Sequence, residues 1–193
     1  MLRSTASLAL FCGLIGLSPS VFADGSQGQR VNICHGYSCI AQVEIHFSPG
    51  QLGEIRRLLF SAVDPASERE MLADAMGRLY RWAGEQSDIR NDRGGNYADG
   101  HMPGKMDCID HSTSTTRLLE LLAGHAYLRW HRVDVPQARH FLGLIASHWS
   151  AVIEEIDSEP PQRFVVDSWF VNNGEPAVIL PLEAWKKGAG PDV

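Results

Sequence analysis

The sequence lacks a hydrophobic run long enough to cross a membrane, and its basic residues do not cluster. The longest apolar stretch lies near the N-terminus, at residues 6–17, and is shorter than the roughly 20 residues that a membrane-spanning helix needs. Acidic residues outnumber basic ones by 23 to 17, and the five Trp and seven Phe are not interleaved with basic clusters. These absences argue against an integral membrane protein and against a nucleic-acid partner.

The N-terminus has the pattern of a secretory signal peptide. A basic start at Arg3 precedes the short apolar stretch, and a triplet with small outer residues ends at Ala23, as signal peptidase prefers. We therefore predict that residues 1–23 are removed and that the mature chain is periplasmic or secreted, with no integral membrane span. An uncleaved anchor is one alternative. A lipoprotein would carry its lipid on Cys12, but Phe11 stands where such signals resemble one another in having a small residue.

Residues 24–193 are long enough for a single domain with a substantial core. Residues 24–30 are rich in Gly, Ser and Gln and are predicted to be a flexible leader. A strand is expected at residues 42–47, a short helix after Ser48-Pro49, and a second helix from Asp64-Pro65 to about residue 86. Residues 87–107 are predicted to form a long loop, a feature that is more often functional than decorative.

Strand patterns dominate the second half of the chain. They cover residues 126–135, residues 139–145 continuing into 147–156, residues 163–171 and residues 177–182, with Pro, Gly and Asn between them. Helices first and strands afterwards predict an α+β fold, in which N-terminal helices pack on an antiparallel β-sheet.

Cysteines are few, and their number is informative. The mature chain has three, so an oxidising compartment leaves one unpaired. Cys34 and Cys39 bracket a tight polar segment, and a disulfide closing so small a loop would contribute about 2 kcal/mol at most. Cys108 is then the odd thiol. It is either a buried inert side chain, the commonest fate of a free cysteine, or a reactive one.

The neighbours of Cys108 favour a reactive thiol. The sequence predicts a helix from Cys108 to about residue 123, ended by Gly124. A thiol attacks only as the thiolate, which the unsatisfied N–H groups at a helix N-terminus stabilise. The same amides could hold an oxyanion when the thiolate adds to a carbonyl. Such a nucleophile needs a histidine base brought from elsewhere in the fold.

Strand pairing selects the histidine among eight. If the strands on either side of residues 157–161 pair symmetrically, Ser150 faces Val165 and His148 faces Asp167. Directly opposed residues share a face with Cβ atoms about 5 Å apart, close enough for a carboxylate to orient an imidazole. We therefore predict a catalytic triad of Cys108, His148 and Asp167.

These stretches also carry a family resemblance. The segments MDCID around Cys108, HW at His148 and VVDSW around Asp167 resemble the transglutaminase-like superfamily, including the bacterial transglutaminase-like cysteine proteinases of the periplasm. The resemblance covers residues 107–169. It implies a papain-like or transglutaminase-like core with a Cys108 nucleophile, a His148 base and an orienting Asp167. It also suggests that Asp110 orders the loop or binds a cation.

The expected function is that of an exported thiol-dependent enzyme acting on an amide bond of a protein or peptide substrate, a cell-wall peptide being a third candidate. It would be a cysteine peptidase or amidase, or an acyl transferase. No cofactor is predicted. The alternative from a different class is a non-catalytic periplasmic binding or assembly factor that keeps the fold.

Several other polar residues have rival interpretations. Cys108 and His111 share a helix face, and with Cys34 and His35 they could form a zinc site, although these spacings match no compact motif. We therefore predict no metal. No glutamine lies just upstream of Cys108 to complete an oxyanion hole, so the nearby candidates are Asn96 and Tyr97. The remaining histidines considered are expected on the surface or in the core: His101, His125, His131 and His140.

Overall fold

The computed structural model describes residues 28–95, 102–141 and 145–191. The predicted signal peptide lies outside these ranges, as do Asn96, Tyr97 and His101. Within them the chain forms four α-helices and two antiparallel sheets, which confirms the α+β class. None of the helices in these ranges is both long and apolar enough to cross a membrane.

The described chain begins with a β-hairpin of β1 (Gln29–His35) and β2 (Ala41–Phe47). The leader prediction is therefore wrong for residues 29 and 30, and β1 was not expected. The physical reason is cross-strand pairing: Val31 lies opposite Ile45, and both are buried in the core. A strand that short gains its stability from its partner rather than from its own sequence.

The first two helices match their predictions and are set by local capping. Helix α1 (Pro49–Phe60) is capped by Ser48, and α2 (Pro65–Gln86) by Asp64; each has proline at its start. The side chains of these caps accept hydrogen bonds from first-turn amides that have no partner within the helix. After α2 comes a short 3₁₀ helix, Asp88–Asn91, within the predicted loop.

Helix α3 (Cys108–Gly124) starts and ends close to the predicted residues. Its second half buries Leu118, Leu119 and Leu122 in the main core. This leucine face packs on the four-stranded sheet, mainly against its second strand. The helix therefore holds its first residue, Cys108, at a fixed position relative to the sheet.

The larger sheet consists of β3 (His131–Phe141), β4 (Ile145–Glu155), β5 (Arg163–Asp167) and β6 (Val178–Pro181), in that order and antiparallel throughout. The strand expected from residue 126 begins only at His131, because residues 125–130, which follow α3, form an irregular segment with a turn and a bend. The strand expected at residues 163–171 ends at Asp167. A further short helix, α4 (Leu182–Lys186), was not predicted.

The two faces of this sheet carry different clusters, as alternating side chains require. Ala151, Ile153 and Val166 belong to the main core with the first three helices. Val152 and Val165 belong to a second cluster on the opposite face, together with α4. The members of this second cluster are Val152, Val165, Trp169, Phe170, Leu182 and Trp185.

A buried charged network ties α2 to the first strand of the larger sheet. Glu68 accepts hydrogen bonds from His131 Nδ1 at 2.7 Å and from the amides of Arg129 and Trp130 at 2.6 and 3.0 Å. Arg69 donates to His131 Nε2 at 3.1 Å, and since a guanidinium cannot accept, the ring proton sits on Nδ1. Burial raises the pKa of Glu68, but these hydrogen bonds outweigh it and leave the pKa lowered. His131 thus lies in the core, which is one of the two locations, surface or core, expected for it.

Candidate active site

His148 and Asp167 meet through a hydrogen bond, although not in the predicted register. Val152 pairs with Val165 in the β4–β5 ladder, so its continuation places Ser150 rather than His148 opposite Asp167. The direct opposition predicted for His148 and Asp167 is therefore wrong by two residues. A shift of two preserves the face of each side chain, and His148 Nε2 donates to Asp167 Oδ2 across the diagonal at 2.7 Å.

The turn between β4 and β5 explains the shift. From the sequence, the turn is expected at residues 157–161, with Glu155 opposite Pro160. In the structure the amide of Glu155 instead donates to the carbonyl of Gln162 at 2.8 Å. Proline lacks an amide hydrogen, so Pro160 and Pro161 do not serve as ladder donors, and pairing starts beyond them.

Asp167 is held by two donors besides His148. The indole Nε1 of Trp185 donates to Oδ2 at 2.9 Å, and the amide of Trp169 donates to Oδ1 at 3.2 Å. With three donors and only 1% of its surface exposed, this carboxylate has a fixed orientation. Trp185 was missed in the sequence, where the available signal was that a buried indole N–H requires an acceptor.

Aromatic rings enclose the imidazole of His148. Its centroid lies 4.7 Å from the ring of Trp169, 5.4 Å from Phe170 and 5.6 Å from Trp185. His148 is only 2% exposed. The rings exclude water from the imidazole and restrict its rotation, which strengthens its electrostatic interactions with its two polar partners.

Cys108 is one of those partners. It is a free, partly exposed thiol that packs against the second cluster, and its side chain lies close enough to His148 to raise the pKa of the imidazole. Because Nε2 is engaged by Asp167, Nδ1 is the ring nitrogen left for the sulfur. Burial lowers the pKa of His148, but the hydrogen bond with Asp167, the interaction with Cys108 and the charges of both groups outweigh burial and raise it. The structure thus brings together all three predicted residues.

Asp107 caps the first turn of α3 and occupies most of the amides that were predicted to hold an oxyanion. Asp107 Oδ1 accepts from the amides of Ile109 and Asp110 at 3.0 and 2.9 Å. The carbonyl of Asp107 accepts from the amide of His111 at 2.9 Å. The amide of Cys108 itself is therefore the first-turn amide that could donate to an oxyanion.

The loop closed by the Cys34–Cys39 disulfide is hydrogen-bonded to the start of α3. Cys34 and Cys39 form the expected disulfide, and the four residues at positions 36–39 all have positive φ, from 54° to 83°. This turn directs its amides at two carboxylates, an arrangement typical of anion-binding loops. Tyr37 and Cys39 donate to Asp110 at 2.8 and 2.7 Å, and Ser38 donates to Asp107 at 2.9 Å.

Asp107 and Asp110 therefore have a structural role, because they join the disulfide loop to the start of α3. Burial and the nearby Asp107 charge raise the pKa of Asp110, while the amides of Asp107, Cys39 and Tyr37 act in the opposite direction. Of the two roles suggested for Asp110, ordering the loop agrees with these contacts. Asp110 lies near Cys34 and Cys39, close enough for a shared metal, but their sulfurs are bonded to each other. The zinc alternative thus loses Cys34 as a thiolate ligand.

A second buried network locks α3 to the segment that follows β5. His111 hydrogen-bonds through Nδ1 to Ser168 Oγ at 2.8 Å and donates through Nε2 to Asp92 Oδ2 at 2.9 Å. His111 follows Cys108 by one helical turn, and Ser168 directly follows Asp167. The pair therefore fixes the distance between the thiol and the acid. Sequence reasoning considered His111 only as a metal ligand and missed Ser168 and Asp92.

The network extends to α2 through two hydroxyls. Thr115 Oγ1 lies 2.9 Å from Ser168 Oγ and 2.9 Å from Tyr80 OH. Complete burial raises the pKa of Tyr80 to about 12, so the phenol stays protonated and can donate at physiological pH. Asp92 also accepts from the amide of Met106 at 2.9 Å, which anchors the loop preceding Cys108.

Comparisons with known proteins add no candidate for the function of this site. No protein-family profile, curated protein or solved structure matches the chain. The geometry of Cys108, His148 and Asp167 is therefore the basis for assigning a function.

Proposed function

We propose that the protein is an exported thiol-dependent enzyme that acts on an amide bond of a protein or peptide substrate. One observation carries the proposal: a partly exposed thiol at a helix start lies near an imidazole that is hydrogen-bonded to a buried carboxylate. Nucleophile, base and orienting acid in that order are the parts that acyl transfer requires.

The chemistry follows from these positions. The Cys108 thiolate adds to the amide carbonyl carbon while His148 carries the thiol proton, and the Cys108 amide donates to the developing oxyanion. When the carbon–nitrogen bond breaks, the departing amine takes that proton from His148 and a thioester remains. Water or a second amine then attacks the thioester, giving up a proton to His148. The products are an acid or a new amide, and free Cys108 is restored.

We also propose that the fold is a papain-like or transglutaminase-like core. The support is the placement of the nucleophile at the first residue of α3, which packs on an antiparallel sheet, with His148 and Asp167 on consecutive strands of that sheet. The chain order Cys, His, Asp agrees with the sequence resemblance. A periplasmic or secreted location is part of the proposal, and the Cys34–Cys39 disulfide suits an oxidising compartment.

Alkylation tests the proposal without a known substrate. Iodoacetamide at neutral pH should modify Cys108 at least about tenfold faster than a small free thiol, because the reactive form is the thiolate. The rate should fall in His148→Ala and stay near wild type in Ser150→Ala, a buried neighbour on the same face. Equal, slow labelling in all three proteins would favour the binding or assembly factor.

A second experiment separates hydrolysis from transfer. The protein is incubated with a pool of unmodified peptides and a fluorescent primary amine, and the products are analysed by mass spectrometry. New peptide termini indicate that water resolves the thioester, whereas fluorescent adducts indicate an amine acceptor. Cys108→Ser should yield neither product. Products that persist in Cys108→Ser would contradict the role of this thiol.

A further inference from the structure

A groove of about 600 Å³ lies along the outer edge of the larger sheet. Five consecutive residues of β3, at positions 136–140, line it together with Trp149 of β4 and Lys186 of α4. Successive residues of a strand point to opposite faces. Three of the five, Gln137, Ala138 and Arg139, pair regularly with β4 and so alternate between the faces. A groove that touches all three follows the edge of the strand and straddles both faces of the sheet.

The edge of β3 is suited to receive another chain. Within the described residues β3 pairs only with β4, so its other side has no strand partner there. Its pairing with β4 is irregular between Asp134 and Gln137 and again between Arg139 and His140. Unpaired strand edges bind extended peptides through main-chain hydrogen bonds.

The groove adjoins the candidate active site. Arg139, which lines it, is the register partner of His148 on the neighbouring strand. The guanidinium of Arg139 lies 5.5 Å from the ring centroid of Phe170 and 5.4 Å from that of Trp185, and both rings also enclose His148. A peptide lying in the groove would thus run within about one or two strand spacings of the imidazole.

The charge of the groove is opposite to that of the chain. Its lining includes the exposed Lys186, together with Arg139, whose guanidinium also donates to the carbonyl of Ala189 at 3.4 Å, and it includes no Asp or Glu. The whole chain, by contrast, carries a formal net charge of −6. Local complementarity of this kind selects partners and speeds their encounter. The lining therefore favours an acidic peptide over a basic one.

We propose that the β3 groove binds an extended acidic segment of the substrate, which pairs with the edge of β3 and places a carboxylate beside Lys186 and Arg139. As a statement about substrate class, it rests on the function proposed above. The binding itself does not require catalysis, so it is tested separately.

Binding is measured on Cys108→Ser protein lacking residues 1–23, so that no turnover intervenes. The probes are fluorescein-labelled, N-acetylated peptides with alternating Glu-Thr or Lys-Thr sequence, and the readout is anisotropy. The Glu-Thr peptide should bind at least about tenfold more tightly than the Lys-Thr peptide. N-methylation of alternate amides in the Glu-Thr peptide should abolish binding, because edge pairing needs those donors. Equal affinities of the Glu-Thr and Lys-Thr peptides would overturn the proposal.

A charge-reversal pair locates the binding site. Lys186 and the next residue, Lys187, are both exposed, but only Lys186 lines the groove. Lys186→Glu should weaken binding of the Glu-Thr peptide about fivefold or more, and Lys187→Glu less than about twofold. Equal losses in the two variants would indicate general electrostatic attraction rather than the groove, and would also overturn the proposal.

The two proposals fail separately. Selective binding of the acidic peptide, with Cys108 labelling that does not depend on His148, would retain the groove and refute the enzyme. Fast, His148-dependent labelling without preference for the acidic peptide would retain the enzyme and refute the groove.

Discussion

The imidazole of His148 reaches the carboxylate of Asp167 diagonally across β4 and β5, two residues away from directly opposed positions. Diagonal neighbours have Cα atoms about 7–8 Å apart, which suits a long side chain. The long side chain of His148 spans this separation and reaches the shorter side chain of Asp167. The remaining donors on Asp167, Trp185 and Trp169, then hold the acid where the ring needs it.

Substitution Asp167→Asn should lower the pKa of His148. In the wild type the Asp167 and Cys108 contacts raise that pKa above the ordinary value of 6.5 despite burial, so the ring should titrate above pH 6.5. The asparagine removes the negative charge and should shift the midpoint to lower pH, with slower alkylation of Cys108. NMR titration of the imidazole measures the shift, and an unchanged midpoint would contradict the assigned contact.

Removal of the disulfide should loosen the start of α3. In Cys34→Ser/Cys39→Ser the loop whose amides bind Asp107 and Asp110 is no longer closed. We expect the free energy of unfolding to fall by about 2 kcal/mol. The alkylation rate of Cys108 should fall as well, which a loss of global stability alone would not cause under native conditions. Urea denaturation and iodoacetamide kinetics measure the two effects. An unchanged labelling rate would show that the loop does not position the thiol.

Ser168→Ala should disturb the site although Ser168 is no part of the triad. The substitution removes the hydroxyl that joins His111 to Thr115 and should cost about 1–3 kcal/mol, because buried polar groups lose their partner. Cys108 labelling should slow in parallel. The control is Ser150→Ala, a similarly buried serine whose hydroxyl donates, within the described part of the chain, to the adjacent carbonyl of Ala151. If both variants behave alike, the His111 network has no positioning role.

Glu68 should make stability sensitive to acid. Because folding lowers its pKa from the ordinary value of 4.5, its contribution is present above about pH 4.5 and is lost as pH falls through the lower, folded value. Glu68→Gln should destabilise the protein by about 2–3 kcal/mol at pH 7 and weaken this acid dependence. Urea midpoints between pH 3 and pH 7 measure both effects. Glu70→Gln, at an exposed position on the same helix, should leave them unchanged.

Features that depend on neighbouring residues in the chain could be predicted from the sequence. The helix starts at Ser48-Pro49 and Asp64-Pro65 agree with the structure, because a cap and a following proline act within one turn. The same is true of Cys108 at the start of α3. Strand β1 and helix α4 were not predicted, because each is stabilised by distant apolar partners rather than by a local signal.

The sequence alone determined which residues could form the candidate active site: a lone thiol at a helix start, and a histidine and an acid on two strands of one hairpin. Only the tertiary structure decided how they are held. The turn prolines moved the register by two residues, Trp185 came from a distant helix to orient Asp167, and the amides of residues 37–39 closed on Asp107 and Asp110. Side-chain type and helix capping are local properties, whereas hydrogen bonds between residues many positions apart form only when the chain has folded.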